Sequence, residues 1–246
     1  TGDQLGIYTE KSEKNVKYTN AATISEAEAI FKASTKVTGN PVYAYYPYGS
    51  DNASRNATGL KGNLPKAQVM KTMGVYPYDY RYGVQTGTDS KGDAEFEFRS
   101  LFAKVCVEIN ADGTVFEGSK LENLTLKVSR DGAEVPLCGD FTFSAADGSY
   151  AQGSTLYGEV QAIWSSAQVL DASTECYVTM FPIAKAGDVL ELAVTTQEAV
   201  AKLQVTIGED FVREGIYTFP INVSEAEIFT PEVSDEPEQD VADGPA

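Results

Sequence analysis

Two clusters of tyrosine and proline are the part of the chain best suited to binding a ligand. The first lies within residues 41–48 and the second within residues 76–82. Aromatic rings offer large apolar faces on which sugars stack, so Tyr78, Tyr80 and Tyr82 form a candidate glycan platform. The alternative is that these tyrosines pack on strand faces while their hydroxyl groups reach water.

Histidine, the commonest acid–base residue, does not occur anywhere in the 246 residues. Its absence excludes Ser-His-Asp triads, Cys-His dyads and histidine zinc ligands. Glycoside hydrolysis by a carboxylate pair needs only two acids facing one cleft, and Glu95 with Glu97, or Glu159 with Glu175, are candidates. Because the chain has 36 acidic residues, such pairs arise by chance. We predict a non-enzymatic protein with no catalytic residue, metal site or cofactor.

The charge balance excludes a further class of partner. Nineteen basic residues against 36 acidic ones give a net charge of −17 at pH 7. Such a field repels the phosphate groups of nucleic acids and of anionic membrane surfaces. Calcium binding is the alternative that an acidic chain suggests, but the Asp-Gly pairs at residues 112, 131 and 147 lack the several carboxylates of a calcium loop. These pairs predict type I′ hairpin turns instead.

Three widely spaced cysteines, Cys106, Cys138 and Cys176, are the only thiols. An odd and sparse count argues against a disulfide framework, so we predict three buried apolar thiols. One disulfide with one free thiol is the alternative. No run approaches the ~20 apolar residues of a transmembrane span, so no such span is predicted.

Short segments of alternating apolar and polar residues recur along the chain and indicate β-strands. Residues 103–110, 189–196 and 199–207 show the alternation most clearly, which is typical of strands with one buried face. The extended apolar stripe of a long helix is missing, and only Ser25–Ala33 and Pro65–Met73 are candidates for one or two helical turns. We therefore predict an all-β fold.

Changes in composition divide the chain into three parts. Residues 1–92 are predicted to form an N-terminal β domain with long irregular loops, and residues 93–229 a more regular C-terminal β-sandwich domain. Residues 230–246 form an acidic tail with six acids, three prolines and no basic residue. Such a composition is typical of a solvated tail, and packing on its own domain or on a neighbouring molecule is the alternative.

Four segments of the chain resemble the fimbrillin-like proteins of the type V pili of Bacteroidales. They occur in the order of that family and span nearly the whole chain. The segments are Gly2–Tyr8 with Asn15–Tyr18, Pro41–Tyr48, Phe98–Val105 and Gly215–Phe219. Ser100 departs from the family pattern, which often has a histidine at this position.

The resemblance implies two transthyretin-like β-sandwich domains in tandem. It also implies a secreted lipoprotein, held at the outer membrane by a lipid anchor upstream of Thr1, that acts in cell adhesion as a subunit of a surface pilus. Its expected partners are other pilus subunits, of the same or a homologous chain, joined by donor-strand exchange. A surface glycan or protein of a host or of bacteria is a further expected partner.

The C-terminal segment is the candidate donor in such an exchange. An extended segment that adds to an open sheet edge gains backbone hydrogen bonds, and its apolar side chains fill a groove. Val223, Ile228, Phe229 and Val233 are the apolar residues of this segment that are large enough to do so. The alternative is that they cap their own domain. The alternative function is that of a glycan-binding surface lipoprotein in a polysaccharide uptake system.

Overall fold

Strands make up nearly all the regular structure of the chain. The computed structural model describes residues 3–23, 28–34, 38–71 and 74–229, with the backbone alone at residues 12–14. The first ten strands are β1 (Gln4–Thr9), β2 (Ser12–Thr23), β3 (Ala29–Ala33), β4 (Pro41–Tyr46), β5 (Leu60–Leu64), β6 (Ala67–Met70), β7 (Arg81–Thr88), β8 (Ala94–Ser100), β9 (Ala103–Asn110) and β10 (Lys120–Arg130). The remaining strands are β11 (Ala133–Glu134), β12 (Cys138–Phe143), β13 (Tyr150–Tyr157), β14 (Glu159–Trp164), β15 (Gln168–Val169), β16 (Thr174–Met180), β17 (Val189–Thr196), β18 (Val200–Thr206), β19 (Ile216–Asn222) and β20 (Glu227–Phe229).

These strands form four sheets. The six-stranded sheet has the order β3-β2-β1-β4-β7-β8, and the eight-stranded sheet has the order β20-β18-β17-β10-β14-β6, with β11 and β15 also paired to β10. Two three-stranded sheets have the orders β13-β12-β5 and β16-β9-β19. Within the described residues, the helical segments are two single 3₁₀ turns, Ser50–Asn52 and Val223–Glu225. The all-β prediction is therefore confirmed, and no helix in this part of the chain could span a membrane.

The alternating residues identified in the sequence pair across the eight-stranded sheet. In β10 and β17, Leu126 lies opposite Leu192 and Leu124 lies opposite Val194, and all four side chains are buried. Opposite residues in antiparallel strands project from the same face, so these pairs form a continuous apolar surface. Strand β9 presents a similar surface from its own sheet, and both surfaces belong to one core.

One large apolar core draws on all four sheets. It includes Tyr45 and Tyr82 from the six-stranded sheet and Phe141 from the β13-β12-β5 sheet. Strands from residues 1–92 also pair with later ones, because β5 is hydrogen-bonded to β12 and β6 runs parallel to β14. The division between residues 1–92 and 93–229 therefore stays a prediction, as do the two transthyretin-like domains.

The helical turn expected over Pro65–Met73 is wrong for residues 65–71, and residues 72–73 lie outside the described residues. Residues 67–70 form β6, whose partner is β14, and pairing with this distant strand outweighs a weak local helix preference. The other helical candidate, Ser25–Ala33, is also replaced by a strand over its described part, because β3 pairs with β2. Residues 24–27 lie outside the described residues.

Only one of the three Asp-Gly pairs forms the predicted type I′ turn. Asp131 and Gly132 both have positive φ values, 52° and 79°, and join the paired residues Arg130 and Ala133. A type I′ turn requires positive φ at both central residues. In the pairs at 112–113 and 147–148 only the glycine has a positive φ, so these pairs belong to other turns.

The prediction of buried thiols is confirmed. Cys106, Cys138 and Cys176 are free and buried. Burial disfavours the charged thiolate and raises the pKa of Cys106 to about 11 and that of Cys138 to about 12. All three thiols therefore stay protonated and act as apolar core groups.

Glycines let aromatic rings lie flat against neighbouring strands. Gly6 lies opposite Tyr45 and Gly62 lies opposite Phe141. A Cβ atom at either glycine would overlap the ring of its partner. The ring instead covers the bare backbone, and the strand gains buried apolar contact that the glycine cannot supply itself.

We predict that Gly62→Ala lowers the free energy of unfolding by about 2 kcal/mol, because the new methyl group displaces the buried ring of Phe141. Urea unfolding followed by tryptophan fluorescence measures this change. Gly208→Ala is the matched control, since no atom lies within 4 Å of a Cβ at Gly208. Equal stability of the two variants would contradict the role assigned to the ring.

Candidate assembly surface

The C-terminal end of the described chain is a short edge strand. Strand β20 pairs antiparallel with β18 over three residue pairs: Val200 with Phe229, Ala201 with Ile228, and Lys202 with Glu227. No described strand pairs with its other side. The chain therefore leaves the eight-stranded sheet at an open edge.

The four candidate donor residues lie in different surroundings. Val223 is fully buried in the apolar core, on the 3₁₀ turn that precedes β20. Ile228 and Phe229 on β20 are 55% and 43% exposed. Val233 lies outside the described residues. The structure thus places Ile228 and Phe229 on one exposed strand, whereas Val223 packs in the apolar core of its own chain.

Few contacts hold β20 on the sheet. Its two large apolar side chains remain about half exposed, and the ring of Phe229 lies under the Lys202 ammonium group, 4.8 Å from Nζ. An exposed cation–π contact contributes only about 0.5–1 kcal/mol. In contrast, Val223 anchors the preceding turn, where the Asn222 side chain accepts a hydrogen bond from the Ser224 N–H. The chain can therefore open beyond residue 226 without disturbing the core.

We expect β20 to open locally while the rest of the sheet stays folded. Hydrogen exchange should be about 100-fold faster in peptides covering residues 227–229 than in those covering β17, because exchange there needs only local opening. The control is β19, a second edge strand, which pairs with β9 over seven residue pairs and should stay protected. Equal protection of β19 and β20 would contradict this expectation.

Side chains close the outer edge of β5. The Asn52 amide group donates to the Lys61 carbonyl oxygen and accepts from the Lys61 N–H, both at 2.8 Å. The Tyr80 hydroxyl group lies 3.3–3.4 Å from the backbone O and N of Asn63. These groups take the place of a further strand, so the edge has no free backbone positions there.

A side-chain amide group also joins β6 to β16. The buried side chain of Gln68 donates to the Thr179 carbonyl oxygen at 2.7 Å and accepts from the Thr179 N–H at 2.9 Å. Beside it, the Tyr177 N–H donates to the Met70 sulfur atom at 3.2 Å. Gln68 therefore connects two sheets that share no strand pairing, and it occupies the edges of both.

Other edges are protected by means that natural sheets often use. Strand β19 contains Pro220, which has no N–H to offer a partner strand. Strand β8 carries charged side chains at Glu95, Glu97 and Arg99. In β13 the register shifts opposite Asp140, and a bulge of this kind bends an edge away from a straight partner.

Strand β3 is the least protected of the remaining edges. It contains Ile30, which is exposed, and it has a single charged residue, Lys32. Its pairing with β2 has one register shift, between Asn20 and Ala22, and the outer row of its backbone groups has no described strand partner. The described part of the chain thus has two edges suited to pairing with another chain, β3 and β20.

The three candidate glycan-binding tyrosines do not share one exposed face. Tyr78 is 39% exposed, whereas Tyr82 is 6% exposed and lies in the core. The ring of Tyr80 packs edge-on against Phe141, with the centroids 4.9 Å apart. A glycan platform made of these rings stays a prediction that the burial of Tyr80 and Tyr82 does not favour.

A buried carboxylate, Asp79, lies between Tyr78 and Tyr80 in the chain. Asp79 accepts hydrogen bonds from Arg81 Nε and from the Ser100 hydroxyl group, each at 2.7 Å. Its carboxylate also lies 2.8 Å from Lys104 Nζ, and Lys104 in turn lies over the ring of Tyr76. Asp79 thus ties the loop before β7 to β8 and β9. Sequence reasoning named Ser100 only as a departure from a family pattern and missed this contact.

We predict that Asp79→Asn lowers the free energy of unfolding by about 3 kcal/mol, because it leaves the largely buried Lys104 without its counter-charge. The control is Glu97→Gln, which removes an exposed pair with Arg99 at 3.7 Å and should cost less than about 1 kcal/mol. Chemical denaturation measures both changes. A small effect of Asp79→Asn would mean that Lys104 finds water or another partner.

The candidate catalytic carboxylates are engaged elsewhere. Glu159 pairs with Lys66 and with Lys127, and these ammonium groups lower its pKa. Glu175 accepts a hydrogen bond from the Tyr177 hydroxyl group. A carboxylate held ionised by two ammonium groups is poorly suited to act as a general acid. Among the described residues no group of three His, Cys, Asp or Glu is placed to hold a metal ion.

The described geometry is that of an all-β protein with several sheets and two poorly protected edges. The chain belongs to the fimbrillin-like family, whose model matches residues 1–236. The resemblance noted in the sequence is therefore confirmed. No curated protein matches the chain.

Solved structures share the fold at low sequence identity. A Bacteroides ovatus protein proposed to act in cell adhesion is 15% identical, with a TM-score of 0.56, and the match covers 94% of this chain and 86% of that protein. A Bacteroides uniformis protein with the same description is 18% identical, with a TM-score of 0.53 and coverages of 93% and 90%. At such identities the likeness shows the fold alone.

Proposed function

We propose that the chain is a non-enzymatic fimbrial subunit or accessory adhesin that mediates cell adhesion. Membership of the fimbrillin-like family supports this function, and so do the similar folds of the Bacteroides proteins described above. In this proposal the protein is secreted and stands at the cell surface, held at the outer membrane by a lipid anchor carried upstream of Thr1.

Subunits join by strand exchange in this proposal. The observation that carries it is the state of β20, which is paired over three residues only and exposes Ile228 and Phe229. Release of this strand costs little apolar burial, and its transfer to a neighbouring subunit gains backbone hydrogen bonds and fills a groove. A head-to-tail contact of this kind does not close on itself and so extends into a filament.

We predict that removal of residues 227–246 abolishes assembly, because the donor strand is lost. Multi-angle light scattering of the full chain and of the shortened chain measures the size of the particles. The full chain should form ladders or filaments at high concentration, and the shortened chain should stay monomeric. Unchanged assembly of the shortened chain would refute strand exchange by this segment.

A substitution pair separates the donor role from a general effect of truncation. The double variant Ile228→Ser with Phe229→Ser keeps length and charge and should lose most assembly. The matched control is Val115→Ser with Val169→Ser, which changes two other exposed apolar residues. Equal loss in both variants would indicate non-specific association of apolar groups rather than exchange of β20.

A further inference from the structure

Charge is distributed unevenly along the chain. Residues 1–92 hold 11 basic and 8 acidic side chains, whereas residues 93–229 hold 8 basic and 22 acidic ones. Residues 230–246 hold no basic side chain and six acidic ones. Residues 93–246 therefore carry a net charge of −20 and residues 1–92 a net charge of +3, which together give the −17 of the whole chain.

The positive charge of the first part includes Lys17 on β2 and Lys32 on the edge strand β3. Lys17 and Thr19 project from the same face of β2, since they are two residues apart in a strand. Lys32 lies opposite Thr19, and Ile30 follows on the same face of β3. Lys17, Lys32 and Ile30 are all exposed. We call the residues Lys17, Thr19, Ile30 and Lys32 the β2–β3 surface.

Neither lysine of this surface is neutralised by a described carboxylate. Ion pairs within the described residues engage other lysines, such as Lys66, Lys104 and Lys185. The Lys17 ammonium group instead lies 6.0 Å from the centre of the Tyr48 ring. The surface thus presents two positive charges that have no described carboxylate partner, beside the exposed Ile30 and an edge with no described strand partner.

The C-terminal segment matches this surface in chemistry. It begins with Ile228 and Phe229, which leave the sheet at an open edge, and continues into the six acids of residues 230–246. A lysine on an edge strand discourages uncharged strands from pairing there. The same lysine attracts an acidic segment, so it selects one partner and rejects others.

We propose that the acidic segment 230–246 of one copy docks on the β2–β3 surface of the next copy, with Lys17 and Lys32 as its electrostatic anchor. This inference rests on the proposed head-to-tail assembly and adds the acceptor to it. The contact is heterologous, because the donor and acceptor surfaces differ. Charge also sets its polarity, since two acidic ends repel each other whereas an acidic end and the lysine pair attract.

Charge reversal in the full-length chain tests the anchor. The variant Lys17→Glu with Lys32→Glu should bind a fluorescent peptide of residues 227–246 about tenfold more weakly than the unmodified chain does. Fluorescence anisotropy measures the Kd, and light scattering follows assembly in the same samples. The matched control is Lys61→Glu with Lys91→Glu. It reverses two other exposed lysines of residues 1–92 and should bind as the unmodified chain does.

A compensating change in the peptide distinguishes a direct contact from a folding defect. A peptide carrying Glu236→Lys and Glu238→Lys should bind the Lys17→Glu, Lys32→Glu chain more tightly than the unmodified peptide binds that chain. Raising the salt concentration from 0.05 M to 1 M should weaken binding of the unmodified pair, because the Debye length falls to about 3 Å.

The outcomes separate the anchor from strand exchange itself. If removal of residues 227–246 abolishes assembly but both double-lysine variants bind equally, the donor strand stands and the lysine anchor is refuted. If the unmodified chain does not bind the peptide at any salt concentration, the β2–β3 surface is not the acceptor. A further test uses an intact chain labelled on its tail. If the fraction of docked tail does not depend on protein concentration, the tail docks on its own copy, and this result also refutes the proposal.

Discussion

Open sheet edges are the constraint on which this structure depends. Four separate sheets present many unpaired strand edges, and each free edge invites pairing with another chain. In this chain, side-chain amide groups form hydrogen bonds with backbone groups of edge strands. Asn52 covers β5, and Gln68 joins β6 to β16. Because these amides both donate and accept, each satisfies the N–H and the carbonyl of one residue. Among the described edges, β3 and β20 lack both such cover and the proline, charges or bulge that protect β19, β8 and β13, which is why the proposed assembly uses them.

Alternation in the sequence was sufficient to predict the strands of the main core but not their partners. Residues 103–110 and 189–196 read correctly as half-buried strands because every second side chain is apolar. The short strand β6 gave no such signal. Its buried residue Gln68 is polar, and Val69 and Met70 are two apolar residues in a row, so apolar and polar residues do not alternate. The position of β6 depends on its pairing with β14, about 90 residues away, and on the hydrogen bonds between the Gln68 amide group and Thr179. Long-range pairing of this kind cannot be derived from local pattern.

The candidate sites show the same limit. Tyr78, Tyr80 and Tyr82 were predicted to form a binding platform from residue type alone. The sequence does not show which of these side chains face the core. Core packing separates these rings, because Tyr80 packs against Phe141 and Tyr82 is buried while Tyr78 stays exposed. At the C-terminus, four apolar residues were equally plausible donors by sequence. Burial of Val223 and exposure of Ile228 separate them, and both follow from where the last 3₁₀ turn packs.

Edge protection and charge distribution together determine what kind of partner this protein can accept. A sheet edge without charge would pair with any extended chain, including a partly unfolded copy of itself. A lysine on β3 raises the energy of such pairing unless the incoming segment is acidic. A tail with six acids and no base is repelled by the acidic later part of another copy. In the proposed assembly, charge therefore favours the encounter of an acidic tail with the β2–β3 surface over the encounter of two acidic tails.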